Sequence, residues 1–221
     1  MSMLTVEKLK HHYNDGDRVR EILRGIDCSF DKGKLYTIAG PSGSGKTTFL
    51  SIIAGLDIQK GGKVLYNDKD IREIGLTNYR RKDVSIVFQA YNLINYLTAI
   101  ENVILAMEIS GDLKDKHIIA EQRLLEVGLD REKMDRVVSK LSGGEQQRVA
   151  IARSIATNPA LIFADEPTGN LDSTTEKEII GIFKKLAHEQ DKCVIVVTHS
   201  NELEKEADIN IKLKDGVFIL S

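Results

Sequence analysis

The sequence predicts an α/β fold: a mixed, largely parallel sheet with an N-terminal antiparallel β part and an inserted helical lobe. Three observations lead there. A glycine-rich stretch, Gly40 to Thr48, lies between an apolar run, Leu35 to Ala39, and a helix-like segment, Phe49 to Leu56. That is the strand, tight loop and helix order in which backbone N–H groups converge on an anion. Three more short runs, Val84 to Phe88 with one serine in it and Leu161 to Ala164 and Val194 to Val197 without a break, are apolar, as strands covered on both faces are. Between the first and second of these runs the pattern turns helical. The four runs are expected to lie side by side as parallel strands of one sheet.

With 221 residues, 42% hydrophobic and 29% charged, the chain can bury one sizeable core, and residues 1–221 are expected to form a single domain. Within it, 1–89 and 158–221 are assigned to the core around the glycine-rich loop and 90–157 to the helical lobe. The net charge of −2 lacks the basic excess of a protein whose main affinity is for nucleic acid, although Arg80-Arg81-Lys82 is a local basic cluster. Cys28 and Cys193 stand far apart with no Cys or His cluster at metal-ligand spacing, which reads as two buried thiols in a reducing compartment. No apolar run reaches the ~18 residues of a membrane helix, and no basic segment leads into an apolar one at the start. The chain is therefore expected in the cytoplasm, crossing nothing.

Taken in order, Leu4, Val6 and Leu9 suggest a first strand, Asn14 to Asp17 a polar turn, and Ile22 to Phe30 a second strand. Tyr13, just before the turn, is either a strand residue with a wet hydroxyl or a ring that stacks on a nucleobase. His11 and His12 read as solvated strand residues. Gly61 to Asp68 forms a short strand and turn. Gln89 leaves the end of the Val84 to Phe88 strand, where a polar side chain points either into a ligand crevice or into solvent. Leu93 to Leu97 is apolar and aromatic where a loop should be polar, so it is either core or a docking surface.

Thr98 with Glu101 is a capping-box pattern ahead of Val103, Ile104 and Met107, and Ile118 to Val127 supplies a second apolar helix face that Gly128 ends. Leu141 to Gln147 enters a third helix, whose apolar positions are Val149, Ala152, Ile155 and Ala156. Ser142 and Glu145 there form another capping box. Gly143 and Gly144 weaken a helix unless something approaches the backbone closely, and so mark a second anion-facing helix end. Gly169 to Asp172 makes a turn and cap before a helix with Ile179, Ile180, Phe183 and Leu186 on its apolar face. Alternation at Ile209, Ile211 and Leu213, Asp215-Gly216 and then Val217 to Leu220 read as a closing hairpin.

The chemistry gathers where the apolar strands end. In G-x-x-x-x-G-K-[ST], the glycines let the backbone cradle phosphate, Lys46 reaches the β- and γ-phosphates, and the Thr47 hydroxyl coordinates Mg²⁺. Thr48 packs or caps. Asp165 and Glu166 follow the Leu161 strand: the first would hold the Mg²⁺ water shell and the second polarise an attacking water. His199 leaves the Val194 strand at the same edge.

The phosphate loop, Gln89, Leu141 to Gln147, Leu161 to Glu166, Asn170 to Asp172 and His199 together resemble the full motif set of an ABC-type ATPase domain. The likeness covers the whole chain and specifies the fold as a P-loop NTPase core of that type. More narrowly, LSGGEQQRVAIAR at Leu141 to Arg153 and ADEPTGNLD at Ala164 to Asp172 are similar to bacterial ATPase subunits of the lipoprotein-release, macrolide-export and antimicrobial-peptide efflux group. Val137 to Lys140 stand where that group has a proline.

The resemblance implies ATP and Mg²⁺ as cofactors. ATP contacts would come from Tyr13, by stacking on adenine, and from Gly40, Ser42, Gly43, Ser44, Gly45, Lys46, Thr47 and Thr48. Ser142 and Gly144 would complete the site of a second copy, and Gly143 and Asp172 would also contact ATP. Metal contacts would come from Thr47, Gln89 and Asp165, with Glu166 as base, His199 on the γ-phosphate, and Lys46 and Gln89 assisting. The partners implied are a second copy of the chain in an ATP-dependent homodimer, an integral membrane permease docked through Gln89 to Leu105, and an extracytoplasmic adaptor, with no nucleic acid. That places the chain at the cytoplasmic face of the membrane. The cargo would be a hydrophobic or peptide-like substrate (macrolide, antimicrobial peptide or lipoprotein) that is exported or extracted. The alternative is a mechanical signaller that moves nothing. A small-molecule kinase has no use for Ser-Gly-Gly, and a DNA-repair ATPase of the superfamily would carry a long coiled-coil insertion.

Overall fold

The computed structural model describes residues 2–16, 18–111 and 114–220. The chain begins with β1 (Leu4–Asp15), β2 (Arg18–Phe30) and β3 (Lys34–Ala39), then α1 (Lys46–Ile53), β4 (Gly61–Tyr66), β5 (Lys69–Asp70), α2 (Ile71–Ile74), α3 (Leu76–Lys82) and β6 (Val84–Phe88). Helices α4 (Ala99–Ser110), α5 (Lys116–Glu126), α6 (Arg131–Met134) and α7 (Gly143–Ile155) follow, with a 3₁₀ turn at Val138–Lys140. The chain then returns through β7 (Leu161–Asp165), α8 (Ser173–His188), β8 (Cys193–Val197), α9 (Asn201–Glu206), β9 (Ile209–Lys214) and β10 (Val217–Leu220).

The larger sheet has the order β10-β9-β3-β8-β7-β6. Strands β3, β8, β7 and β6 are parallel neighbours, as the four apolar runs predict, and β9 joins the other side of β3 in parallel. Strand β10 turns back antiparallel on β9. The smaller sheet, β2-β1-β4-β5, is antiparallel throughout.

Two apolar cores explain the continuous runs, because the large sheet is covered on both faces. Ile162, Ala164, Val194 and Val196 pack with α4, α5, α7 and α8 on one side. Leu161, Phe163, Cys193, Ile195 and Val197 pack with α1 and the smaller sheet on the other. Strand β6 is an edge strand, and Ser85, Ile86 and Phe88 are only half-buried rather than fully buried as expected. Both predicted capping boxes form, Thr98–Glu101 on α4 and Ser142–Glu145 on α7. Cys193 is buried as expected and Cys28 only half-buried; desolvation raises the Cys193 thiol to about 12 and pushes that of Cys28 up as well.

Several expectations need correction. The first turn is tighter than Asn14 to Asp17: Asn14 still pairs with Val19, leaving Gly16 at φ 59°, while Asp17 lies outside the described residues. Helix α1 starts at Lys46, three residues before Phe49. Three short helices, α2, α3 and α9, occupy stretches for which the sequence pattern gives no element. His11 is not solvated but 2% exposed, with its ring edge-on to Tyr13 at 4.8 Å. A bulge causes this: Lys8 takes φ 47°, the pairing of β1 with β2 shifts between Val6 and Leu9, and the inward face passes from Leu4 and Val6 to Leu9 and His11.

Candidate functional site

The site begins where β3 ends. A β-carbon on Gly40 would strike the carbonyl oxygen of Leu213 on β9, so only glycine lets the chain pass between strand and loop there. At Gly45 the backbone is left-handed, φ 102°, and no side chain caps α1. The first N–H groups of α1 therefore face the loop without a side-chain acceptor, an arrangement suited to an anion. Lys46 is 7% exposed and folds back over the loop, its Nζ donating to the carbonyls of Gly40 (2.9 Å) and Pro41 (3.2 Å). The buried Ser44 hydroxyl has no partner in the loop.

Parallel register aligns the ends of three neighbouring strands, since Ile38 pairs with Val197 and Asp165 pairs with both Val197 and Phe88. Asp165 accepts from the Thr47 hydroxyl at 3.1 Å. Its carboxyl is pushed above the usual range, chiefly by burial, against the opposing pull of the Thr47 hydrogen bond and the Lys46 charge. Glu166 follows at φ 48°, an unusual backbone for glutamate, tied down by its N–H to the Val197 carbonyl at 2.9 Å. One carboxylate oxygen accepts the His199 N–H at 3.1 Å, and the other lies 3.4 Å from His199 Nε2. Burial raises the Glu166 pKa in spite of the His199 hydrogen bond, His199 and Lys46. Lys46 Nζ in turn stands 3.3 Å from His199 Nε2. A cation, an imidazole and a carboxyl whose pKa burial raises thus meet beside the anion loop, a set able to bind phosphate and handle a proton.

These groups open into a cavity of about 600 Å³. Of the predicted residues, Tyr13, Ser42, Gly43, Gly45, Lys46, Thr47, Thr48, Asp165, Glu166 and His199 line it, and Tyr13 is 46% exposed. Gly40 and Ser44 stand behind that lining. Asn14, Arg20 and Ile22 also line the cavity and were not anticipated. The pairing register that brings Arg20 opposite Tyr13 is the signal that reaches it, and it is not visible in one sequence.

The remaining predicted residues lie elsewhere. Gln89 is exposed, its amide donating to Asn170 Oδ1 at 3.3 Å. Asp172 caps α8, accepting from the N–H groups of Thr174 (3.0 Å) and Thr175 (3.1 Å) and from the Thr175 hydroxyl (2.6 Å), which holds its carboxyl below the usual range. Ser142, Gly143 and Gly144 open α7, with Glu145 closing the capping box and pairing with Lys133 at 2.9 Å. Both glycines are approached closely from within the chain. A β-carbon would lie 3.0 Å from the Tyr91 hydroxyl at Gly143, and 2.5 Å from Thr175 Cγ2 at Gly144.

The donor set suits Mg²⁺ beside a phosphate: one hydroxyl and one carboxylate, both oxygen ligands, already in contact at the cavity wall. Among the described residues no helix is long and apolar enough to cross a membrane.

A family model described as ABC transporter matches residues 23–169. The uncharacterized ABC transporter ATP-binding protein YclH of Bacillus subtilis is 50% identical over 219 residues, 99% of this chain and 96% of that protein. The macrolide export ATP-binding/permease protein MacB of Bdellovibrio bacteriovorus is 41% identical over 97% of this chain, which spans only 33% of that protein's length. Among solved structures, the dimeric post-hydrolysis state of the ATP-binding cassette MJ0796, bound to ADP and Pi, superposes with a TM-score of 0.89 at 36% identity, covering 99% of this chain and 98% of that one.

Proposed function

Since the chain belongs to the ABC transporter family and is an ABC-type ATPase, we propose that two copies close around two ATP molecules and drive a separate membrane permease. The observation that carries this is the separation of two anion-facing helix ends. The start of α1 lines the cavity, whereas Ser142, Gly143 and Gly144 at the start of α7 do not, with Ser142 and Gly143 exposed. One chain then offers half of each site, and the dimeric state of the MJ0796 cassette supports a second chain supplying the rest.

In this reading Tyr13 stacks on adenine, and Lys46 leaves the Gly40 and Pro41 carbonyls for phosphate oxygens. Glu166 takes the proton of the attacking water, for which its burial-raised pKa is suited, while His199 holds the γ-phosphate end. Thr47 and Asp165 would hold Mg²⁺, which supplies charge neutralisation along the phosphates. Gln89 would reach the metal by turning away from Asn170, and Ser142 and Asp172 would act on the partner's nucleotide. Residues 90–157 act as a lobe that moves against 1–89 and 158–221.

The permease would dock through Gln89 to Leu105, across the exposed Tyr96 and the adjoining groove of about 770 Å³ to which Asn92, Ile94 and Leu105 contribute with Arg80, Ile109 and Arg153. That docking places the chain at the cytoplasmic face of the membrane. The cargo would be a hydrophobic or peptide-like substrate exported or extracted by the permease, and the macrolide-export relative, whose name joins ATP-binding and permease functions, supports the export of a hydrophobic one.

The test is the state of association. Glu166→Gln with ATP should elute as a dimer in size exclusion, and as a monomer without ATP or with Lys46→Ala added. Ser142→Arg in the Glu166→Gln background should keep mononucleotide binding and lose the dimer. If the Ser142→Arg chain still dimerises and, with Glu166 restored, hydrolyses ATP normally, Ser142 is a cap alone and the two-chain site is wrong.

A further inference from the structure

The cavity holds a second cation that the reading above leaves unused. Arg20 sits directly across the β1–β2 hairpin from Tyr13, so both side chains stand on the same face of the small sheet. It lines the same cavity as Tyr13 and the phosphate loop, and its Nη2 comes within 4.0 Å of where a β-carbon on Gly43 would be. The guanidinium has no ion pair or hydrogen bond among the described residues. Arg24, further along the same strand, is instead engaged by Glu21 at 3.7 Å.

A buried lysine folded into the loop and an exposed, unpaired arginine at the loop's open side are complementary. The first is a point charge, the second a planar fork of donors that matches two phosphate oxygens at once. An exposed guanidinium beside an anion cradle gains most where negative charge arrives, because it has water but no competing ion pair to give up.

We propose that Arg20 is a specificity-determining residue, a second cation that grips the polyphosphate of the nucleotide from the hairpin side and makes affinity depend on phosphate number. The proposal rests on the nucleotide-binding reading of this cavity. Tyr13 and Arg20 divide the ligand between them, the ring holding the base and the guanidinium the phosphates, so one hairpin sets both ends of recognition.

The experiment is equilibrium binding of ATP, ADP, AMP and adenosine to the whole chain and to Arg20→Ala and Arg20→Lys, each at several salt concentrations. Arg20 is exposed, so neither change should lower the unfolding temperature. Arg20→Ala should weaken ATP and ADP about tenfold, leave adenosine within about twofold, and flatten the dependence of ATP affinity on salt. Arg20→Lys should recover part of the loss. Equal weakening of all four ligands would show that Arg20 supports the Tyr13 ring rather than the phosphates, and would overturn the proposal. So would unchanged ATP affinity in Arg20→Ala, and in that case ATP binding by the parent chain would leave the function above standing. If the parent chain binds no ATP at all, that function fails and the proposal with it.

Discussion

Gly144 and Thr175 are in such close contact that a β-carbon on the glycine would lie 2.5 Å from the threonine methyl. This binds the start of α7 to the first turn of α8, where Asp172 holds the Thr175 hydroxyl at 2.6 Å. The glycine has a reason within one chain, before any nucleotide or partner is considered. Gly144→Ala should destabilise the chain by about 1–3 kcal/mol through overpacking. Thr175→Ser, which removes the methyl and keeps the hydroxyl, should recover most of that loss. A double-mutant cycle by denaturant unfolding measures it, and additive effects would show that the contact is not the cause.

The apolar loop after Gln89 is split between core and surface. Leu93 packs against the helix-side core, whereas Tyr96 is 79% exposed. Leu93→Asp should therefore lower the unfolding temperature and solubility. Tyr96→Asp should leave unfolding and basal ATPase activity near those of the parent while preventing co-purification with the permease. Retention of the permease by Tyr96→Asp would move the docking surface elsewhere.

Glu166 should weaken the fold it serves. Its folded pKa is raised by burial, so its stabilising contribution is present below the ordinary carboxylate range and lost as pH rises through the folded value. At neutral pH the charge works against the fold. Glu166→Gln should raise the unfolding temperature of the nucleotide-free chain by a few degrees at pH 7.5 and by less at pH 4.5, read by calorimetry. A variant that melts lower at pH 7.5 would contradict the sign.

His11 works in the opposite direction of pH. Burial lowers its pKa, against Asp57 at 3.6 Å, with Lys60 and His12 opposing protonation and Tyr13 closing one side. The folded chain keeps the ring neutral while the unfolded chain takes a proton near pH 6.5. Its contribution is whole above that pH and is lost as pH falls toward the folded value. Between pH 7.5 and 5.5 the parent should lose more stability than His11→Gln. Parallel melting curves would mean that Asp57 compensates the charge.

The sequence is most readable where one physical demand dominates. Strands β3, β7 and β8 are apolar over most of their length because both sheet faces are covered, and the capping boxes at Thr98 and Ser142 satisfy helix ends locally. Their neighbours are harder. Helices α2, α3 and α9 are four to seven residues long, too short for a helical period to register. The burial of His11 depends on a bulge at Lys8, which inverts the alternation without a glycine or proline to announce it. The same holds at the site. Lys46, Thr47, Asp165, Glu166 and His199 meet because strand ends in a parallel sheet align, which strand order alone implies. Arg20 joins them through hairpin register, and the approach of Thr175 to Gly144 depends on how two helices lean together, neither of which one chain's residue order encodes.

Strand β3, which delivers the phosphate loop, is flanked only by β8 and β9. Its Leu35 N–H is capped by Asp208, a partner 173 residues away. On a ribosome adding about 5–20 residues per second, β3 would wait on the order of ten seconds with both edges bare. The antiparallel hairpin of β1 and β2 can close at once, so the Tyr13 side of the cavity can be shaped well before the Lys46 side has a sheet to stand on. A newborn chain stalled in that interval would expose an apolar strand with two open ladders, making this the stretch of its life most dependent on chaperone cover.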